Sequence, residues 1–144
     1  MDKFYIKIFR VSFLSQILYN LHMSKRMLMV SKIMDANIFI PLFQNMGVEV
    51  HQIEDFGEAL EDALDWKPGV IVFLVPVYWE SILEFVEKVR ADPDMKKTGI
   101  IYVGRLIEGA ELRLLQQHDV KTMAMGPVPE EEMARFMYEM FPAW

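Results

Sequence analysis

Along most of the chain, short unbroken apolar runs alternate with stretches in which apolar residues recur at helical spacing. Met27-Leu28-Met29-Val30 reads as a buried strand, and Val48-Glu49-Val50-His51-Gln52-Ile53 as a strand exposed on one side. Val70 to Val75 is six consecutive apolar residues, the mark of a central parallel strand covered on both faces. Ile100 to Val103 and Thr122 to Met125 supply two more strands. Between them lie helical stripes. Asp35 is expected to cap a helix running to Asn45, with Pro41 bending it or delaying its start and Gly47 ending it. Phe56 to Trp66 places Ala59, Leu60, Ala63 and Leu64 on one face, and Trp79 to Arg90 does the same through Ile82, Leu83, Phe85, Val86 and Val89. Lys67-Pro68-Gly69 and Asp92-Pro93 punctuate the pattern. Glu111 to Gln117 is a short helix, and Pro129 to Phe141 another, opened by Glu130, Glu131 and Glu132.

Strand and helix thus alternate five times. That order predicts an α/β fold, a parallel sheet wound with helices on both faces. In such folds the chemistry lies beyond the C-terminal strand ends, so the residues just after each strand decide function.

The first 25 residues break the pattern and form an extension to a domain spanning 26–144. Residues 1–26 carry Lys3, Lys7, Arg10, Lys25 and Arg26 against Asp2, a net charge of +4, whereas the remainder holds 10 basic and 20 acidic residues, a net charge of -10. The run Phe4–Leu21 is interrupted too often by polar residues to span a membrane, and it has no clean signal-peptide core. Lys3, Lys7 and Arg10 share one helical face. Three readings stay open: a translated leader before a start at Met23, a docked helix or strand, and, with least weight, membrane contact by residues 1–22.

Composition narrows the function. With 144 residues, 53% of them hydrophobic and 25% charged, the chain is one globular domain. Absence of cysteine excludes disulfides and thiolate chemistry and fits a cytoplasmic protein. A net charge of -6 argues against nucleic acid as a partner. His22, His51 and His118 lack metal-site spacing, no phosphate-cradling glycine loop is present, and no cofactor is implied. Most of the twelve methionines are expected to fill the core. The tail Pro142-Ala143-Trp144 reads as the end of a stand-alone domain.

Three segments together resemble one family. Val89-Arg90-Ala91-Asp92-Pro93-Asp94-Met95-Lys96-Lys97 followed by Ile100-Ile101-Tyr102-Val103, the run Lys67-Pro68-Gly69-Val70-Ile71-Val72-Phe73, and Gly126-Pro127 before Pro129-Glu130-Glu131 are similar to the receiver domains of response regulators. The resemblance covers about Arg26 to Phe141. It implies the chemotaxis-regulator, flavodoxin-like topology, a five-stranded sheet in the order 2-1-3-4-5, and a role in bacterial two-component or chemotaxis-type signalling.

It also implies a phosphorylation pocket, and the chain departs from that pocket at every position. Two acidic residues should follow the first strand to hold magnesium; Ser31 and Lys32 stand there. The phosphate-accepting aspartate should close the third strand, where the chain has Leu74. Its neighbours Val72, Phe73, Val75 and Pro76 are not acidic either, so a shift of register changes nothing. Gly104 replaces the hydroxyl residue after the fourth strand, and Gly126 replaces the lysine before Pro127. Phosphoryl transfer depends on positioning and charge neutralisation. The expectation is therefore a pseudo-receiver without catalytic or metal-binding residues, not an enzyme.

Such a chain would act by binding proteins. Receivers typically signal through the face of their fourth helix, fifth strand and fifth helix. Here that face would draw on Tyr102, Arg105, Leu112, Arg113, Met123, Met125, Met133 and Met137, several of which the core also needs. Expected partners are a kinase, a chemotaxis component, an output protein or a second copy. The alternative is a small-ligand or anion-binding domain using a crevice lined by Ser31, Lys32, Leu74, Val75, Gly104 and Arg105.

Overall fold

The computed structural model describes residues 25–74, 79–104, 107–124, 131, 132 and 135. In chain order its elements are β1 (Arg26–Val30), α1 (Ile33–Ala36), α2 (Phe39–Asn45), β2 (Glu49–Ile53), α3 (Phe56–Trp66), β3 (Val70–Leu74), α4 (Trp79–Ala91), a 3-10 turn (Pro93–Met95), β4 (Gly99–Gly104), α5 (Gly109–Gln117) and β5 (Val120–Ala124). Glu131, Glu132 and Arg135 are helical, within the span expected for the last helix. All strands pair in parallel, in the order β2-β1-β3-β4-β5, as the doubly wound reading requires.

Side-chain alternation divides the core into two layers. Leu28, Val30, Ile71, Phe73, Ile100, Tyr102 and Val120 face α3, α4 and α5, which contribute Ala59, Ala63, Ile82, Phe85, Val86, Val89 and Leu115. Met27, Met29, Val70, Val72, Leu74, Ile101 and Val103 face Ala36, Phe39 and Phe43 of α1 and α2. Every residue of β3 is buried. Each large apolar side chain so removed from water stabilises the fold by about 1.5–3 kcal/mol. Met27, Met29 and Met95 are fully buried, consistent with a core-filling role.

The helix expected from Asp35 to Asn45 is two pieces. Pro41 has no N–H to give Asn37, and its ring would crowd that carbonyl, so the chain turns at Asn37 and Ile38 and restarts at Phe39. Pro41 then lies in the first turn of α2, where a missing N–H costs little. Asp35 falls inside α1, and Lys32 holds the position before that helix, so Asp35 is not its N-cap. The other end of α2 follows expectation. The Val48 amide donates to the Phe43 carbonyl and the Gly47 amide to that of Gln44, the pairing of a Schellman end, with Gly47 at φ 84°. A Cβ at Gly47 would meet nothing within 4 Å, so only backbone strain opposes a side chain there. Gly47→Ala is expected to destabilise the domain by about 1–2 kcal/mol in urea denaturation, without altering the fold.

β5 begins two residues earlier than the apolar run suggested, at Val120, and β4 gains Gly99 and Gly104 at its ends. Parallel pairing of Ile100 with Val120 and Ile101 with Lys121 recruits residues that periodicity alone leaves in the loop.

Candidate functional site

The C-terminal ends of β1, β3 and β4 lie side by side. Val30 pairs with Phe73 and Leu74 with Val103, which brings Ser31, Leu74 and Gly104 to one rim of the sheet. Ser31 is pinned to β2: its amide donates to the Ile53 carbonyl at 3.1 Å, and its own carbonyl accepts from the Gln52 side-chain amide. It is 2% exposed, and its hydroxyl has no hydrogen-bond partner among the described residues. Lys32 is exposed and extended (φ -65°, ψ 146°) at the entry to α1. Leu74 is 2% exposed and packed with Val72, Val103 and Met123 beneath the rim. Gly104 is buried. Val75, Arg105 and Gly126 lie outside the described residues.

The rim thus carries an apolar side chain at its centre, a buried hydroxyl on one side and a cation at its edge. Among the described residues no three His, Cys, Asp or Glu side chains gather as metal ligands. The nearest acidic pair in sequence, Glu54 and Asp55, is exposed, and Asp55 is spent on capping α3, its carboxylate accepting from the Glu58 amide at 2.9 Å. Asp55-x-x-Glu58 ahead of the apolar stripe is the sequence signal for such a cap.

The expected interaction face divides. Tyr102 is 2% exposed and packs in the core layer under α3–α5, so it offers nothing to a partner. Position 102 faces inward because it shares strand parity with Ile100 in β4. Leu112 packs partly against that layer, Met123 partly against the opposite one, and Arg113 is exposed on α5. Met125, Met133 and Met137 lie outside the described residues.

Two clusters were not legible in advance. His51 stacks on Trp66 with ring centroids 3.5 Å apart and an interplanar angle of 8°, and its Nδ1 lies 2.9 Å from Asp62 Oδ2. Arg26 covers the same indole at 5.6 Å and donates to the Trp66 carbonyl. On the sheet's N-terminal side, Lys67 bridges Asp92 at 3.1 Å and Asp94 at 3.5 Å. The Asp94 amide, and then Lys67, hold the Asp92 carboxyl below the usual carboxylate range; Asp92 in turn raises Lys67. A carboxyl depressed on folding stabilises the fold at pH above its ordinary value of 3.8 and loses that contribution as pH falls through its lower folded value. A raised lysine contributes below 10.5 and loses it in stronger base. Asp92→Asn should therefore lower the melting temperature at neutral pH, and the difference from wild type should close on acidification.

Neither a protein-family model nor a curated protein sequence matches this chain. Solved structures do. The chemotaxis protein CheY4 of Vibrio cholerae superposes with a TM-score of 0.67 at 21% identity, over 81% of this chain and 97% of that one. The fold is that of a receiver domain. A response regulator from Desulfuromonas acetoxidans matches with a TM-score of 0.65 at 18% identity, over 83% of this chain and 97% of its own. A sensor protein from Polaromonas matches with 0.66 at 15%, over the same shares. At these identities the likeness establishes the receiver fold and its strand order. No helix among the described residues is long and apolar enough to cross a membrane.

Proposed function

We propose that this chain is a receiver-fold interaction module that takes up no phosphate and performs no catalysis, working in two-component or chemotaxis-type signalling. The observation that carries the reading is Leu74, a buried apolar side chain at the strand end where a receiver needs a carboxylate nucleophile. Ser31 and Lys32 beside it add no carboxylate oxygen for a magnesium ion. The solved structures of similar fold are named as response regulators, a sensor protein and a chemotaxis protein, which favours signalling as the setting. The partner is a protein: a kinase, a chemotaxis component, an output protein or a second copy.

Incubation with acetyl phosphate and magnesium, read by intact mass, is expected to leave the chain unmodified; a phosphoryl adduct overturns the reading. The partner face is assigned to α5, β5 and the segment after it. Met125→Asp and Met133→Asp are expected to abolish association with that partner and leave the melting temperature unchanged. Normal binding by both variants would place the face elsewhere.

The unpartnered hydroxyl of Ser31 beside the exposed Lys32 favours a second reading, a small anion held at the rim. Calorimetry against nucleotides and inorganic anions separates the two; heat that disappears in Lys32→Ala supports the anion, and silence across the panel removes it.

A further inference from the structure

Between Lys32 and Lys67 the chain has no lysine or arginine but eight acidic residues: Asp35, Glu49, Glu54, Asp55, Glu58, Glu61, Asp62 and Asp65. The fold gathers most of them on β2 and α3. Asp55 is used as a cap and Asp62 faces His51. Glu58, Glu61 and Asp65 remain exposed along α3. Next to them, α3 and α4 leave an open groove of about 190 Å³ lined by Phe56, Gly57, Leu60, Glu84, Phe85 and Lys88. Lys88 is held by Glu84 at 3.0 Å, so the one cation among the groove's described lining residues is already paired. An apolar floor beside a row of carboxylates suits a ligand that is itself apolar and cationic.

Such a segment enters the fold beside that surface. Lys25 immediately precedes β1, and its carbonyl accepts from the Glu49 amide at 2.8 Å. Arg26, the first residue of β1, is tied to Trp66, the last residue of α3. Residues 1–24 are therefore tethered where α3 ends. They carry Lys3, Lys7 and Arg10 at helical spacing, with Phe4, Ile8 and Val11 one position on at the same spacing. The eleven residues of α3 span about 16 Å, whereas 24 residues reach about 36 Å even at a helical rise of 1.5 Å. Length, charge and point of attachment all agree.

We propose that residues 1–24 dock within the same molecule on the outer face of α3 and its groove with α4. Lys3, Lys7 and Arg10 meet Glu58, Glu61 and Asp65, and the apolar residues between them cover Phe56, Leu60 and Phe85. The surface is distinct from the α5–β5 face assigned above, and the proposal stands or falls without it.

The test uses the whole chain. It has no cysteine, so Ser12→Cys carries a nitroxide as the single label. Amide signals of Gly57, Leu60, Glu61, Phe85 and Lys88 are expected to lose most of their intensity relative to the reduced label, while those of Lys121 and Thr122 at the opposite sheet edge keep theirs. Reversing the segment (Lys3→Glu, Lys7→Glu, Arg10→Glu) should restore the signals. Reversing the surface (Glu58→Lys, Glu61→Lys, Asp65→Lys) should do the same, and combining both sets should bring the loss back. Absent or evenly spread broadening overturns the proposal. So does broadening in a mixture of spin-labelled unenriched chain with unlabelled 15N-enriched chain, which would assign the contact to a second copy.

Discussion

Leu74→Asp is expected to destabilise the domain by about 4 kcal/mol and still leave it without phosphate. The site is 2% exposed, closes the central strand, and packs with Val72, Val103 and Met123. Removing the leucine costs its buried methyl groups together with the cavity they leave, about 2–5 kcal/mol in comparable cores. A carboxyl placed there enters a buried, largely apolar layer, so desolvation will favour its protonated form and add a cost of its own. Leu74→Ala, measured alongside in urea, isolates the packing loss; the difference between the two variants is the carboxyl's share. A protonated acid is a poor nucleophile, and Ser31 and Lys32 cannot bring magnesium to ionise it. Adding Ser31→Asp and Lys32→Asp to Leu74→Asp should make the melting temperature respond to magnesium. Phosphorylation of Leu74→Asp alone would show that the rim has ligands beyond positions 31, 32 and 74.

Much of the fold could be read from the chain because its signals are local and mutually consistent. The six apolar residues from Val70 to Val75 read as a strand buried on both faces, and β3, Val70–Leu74, is wholly buried. The stripe Ala59, Leu60, Ala63, Leu64 fixes both the existence and the inward face of α3, whose bounds agree with the pattern. Misplacements occur where a local preference meets a tertiary constraint. Asp35 has the chemistry of a cap, but Pro41 decides where the helix can restart. Val120 and Lys121 look like loop residues until β4 offers them partners.

The candidate site is legible in a narrower sense. Which residue types stand at the strand ends is a sequence fact, and Leu74, Ser31 and Gly104 meet at the rim as parallel pairing dictates. What the side chains do there is decided by burial. Tyr102 has the composition of an interface residue and the parity of a core residue, and parity wins. The unpartnered hydroxyl of Ser31 depends on strand neighbours that no local pattern reveals. Contacts between residues far apart in sequence are the least legible of all, and the most consequential of these belongs to Arg90.

Arg90 reads in sequence as a cation near a helix end, favourable there and replaceable. In the fold it is a strut. Its Nε donates to the His118 carbonyl at 2.8 Å, Nη1 to those of Met95, Lys96 and Thr98 at 3.1, 3.2 and 2.7 Å, and Nη2 to that of Asp119 at 3.4 Å. It thereby ties the loop entering β4 to the loop entering β5, including Asp119 in a left-handed conformation at φ 55°. Burial pulls its pKa below the ordinary arginine value, with Asp119 opposing, as the half-buried guanidinium exchanges part of its hydration for these carbonyls. Arg90→Ala leaves them without their donor, and a loss of about 3 kcal/mol is expected in urea denaturation. Arg90→Lys should recover less than half of that, because an ammonium has three donors at one point and cannot span carbonyls on two loops. Hydrogen exchange adds a readout that general destabilisation does not mimic. Amides of 95–99 and 118–121 should lose protection in Arg90→Ala ahead of those in β1 and β3; uniform loss across the sheet would mean that Arg90 contributes to the core at large and not to the junction of β4 and β5.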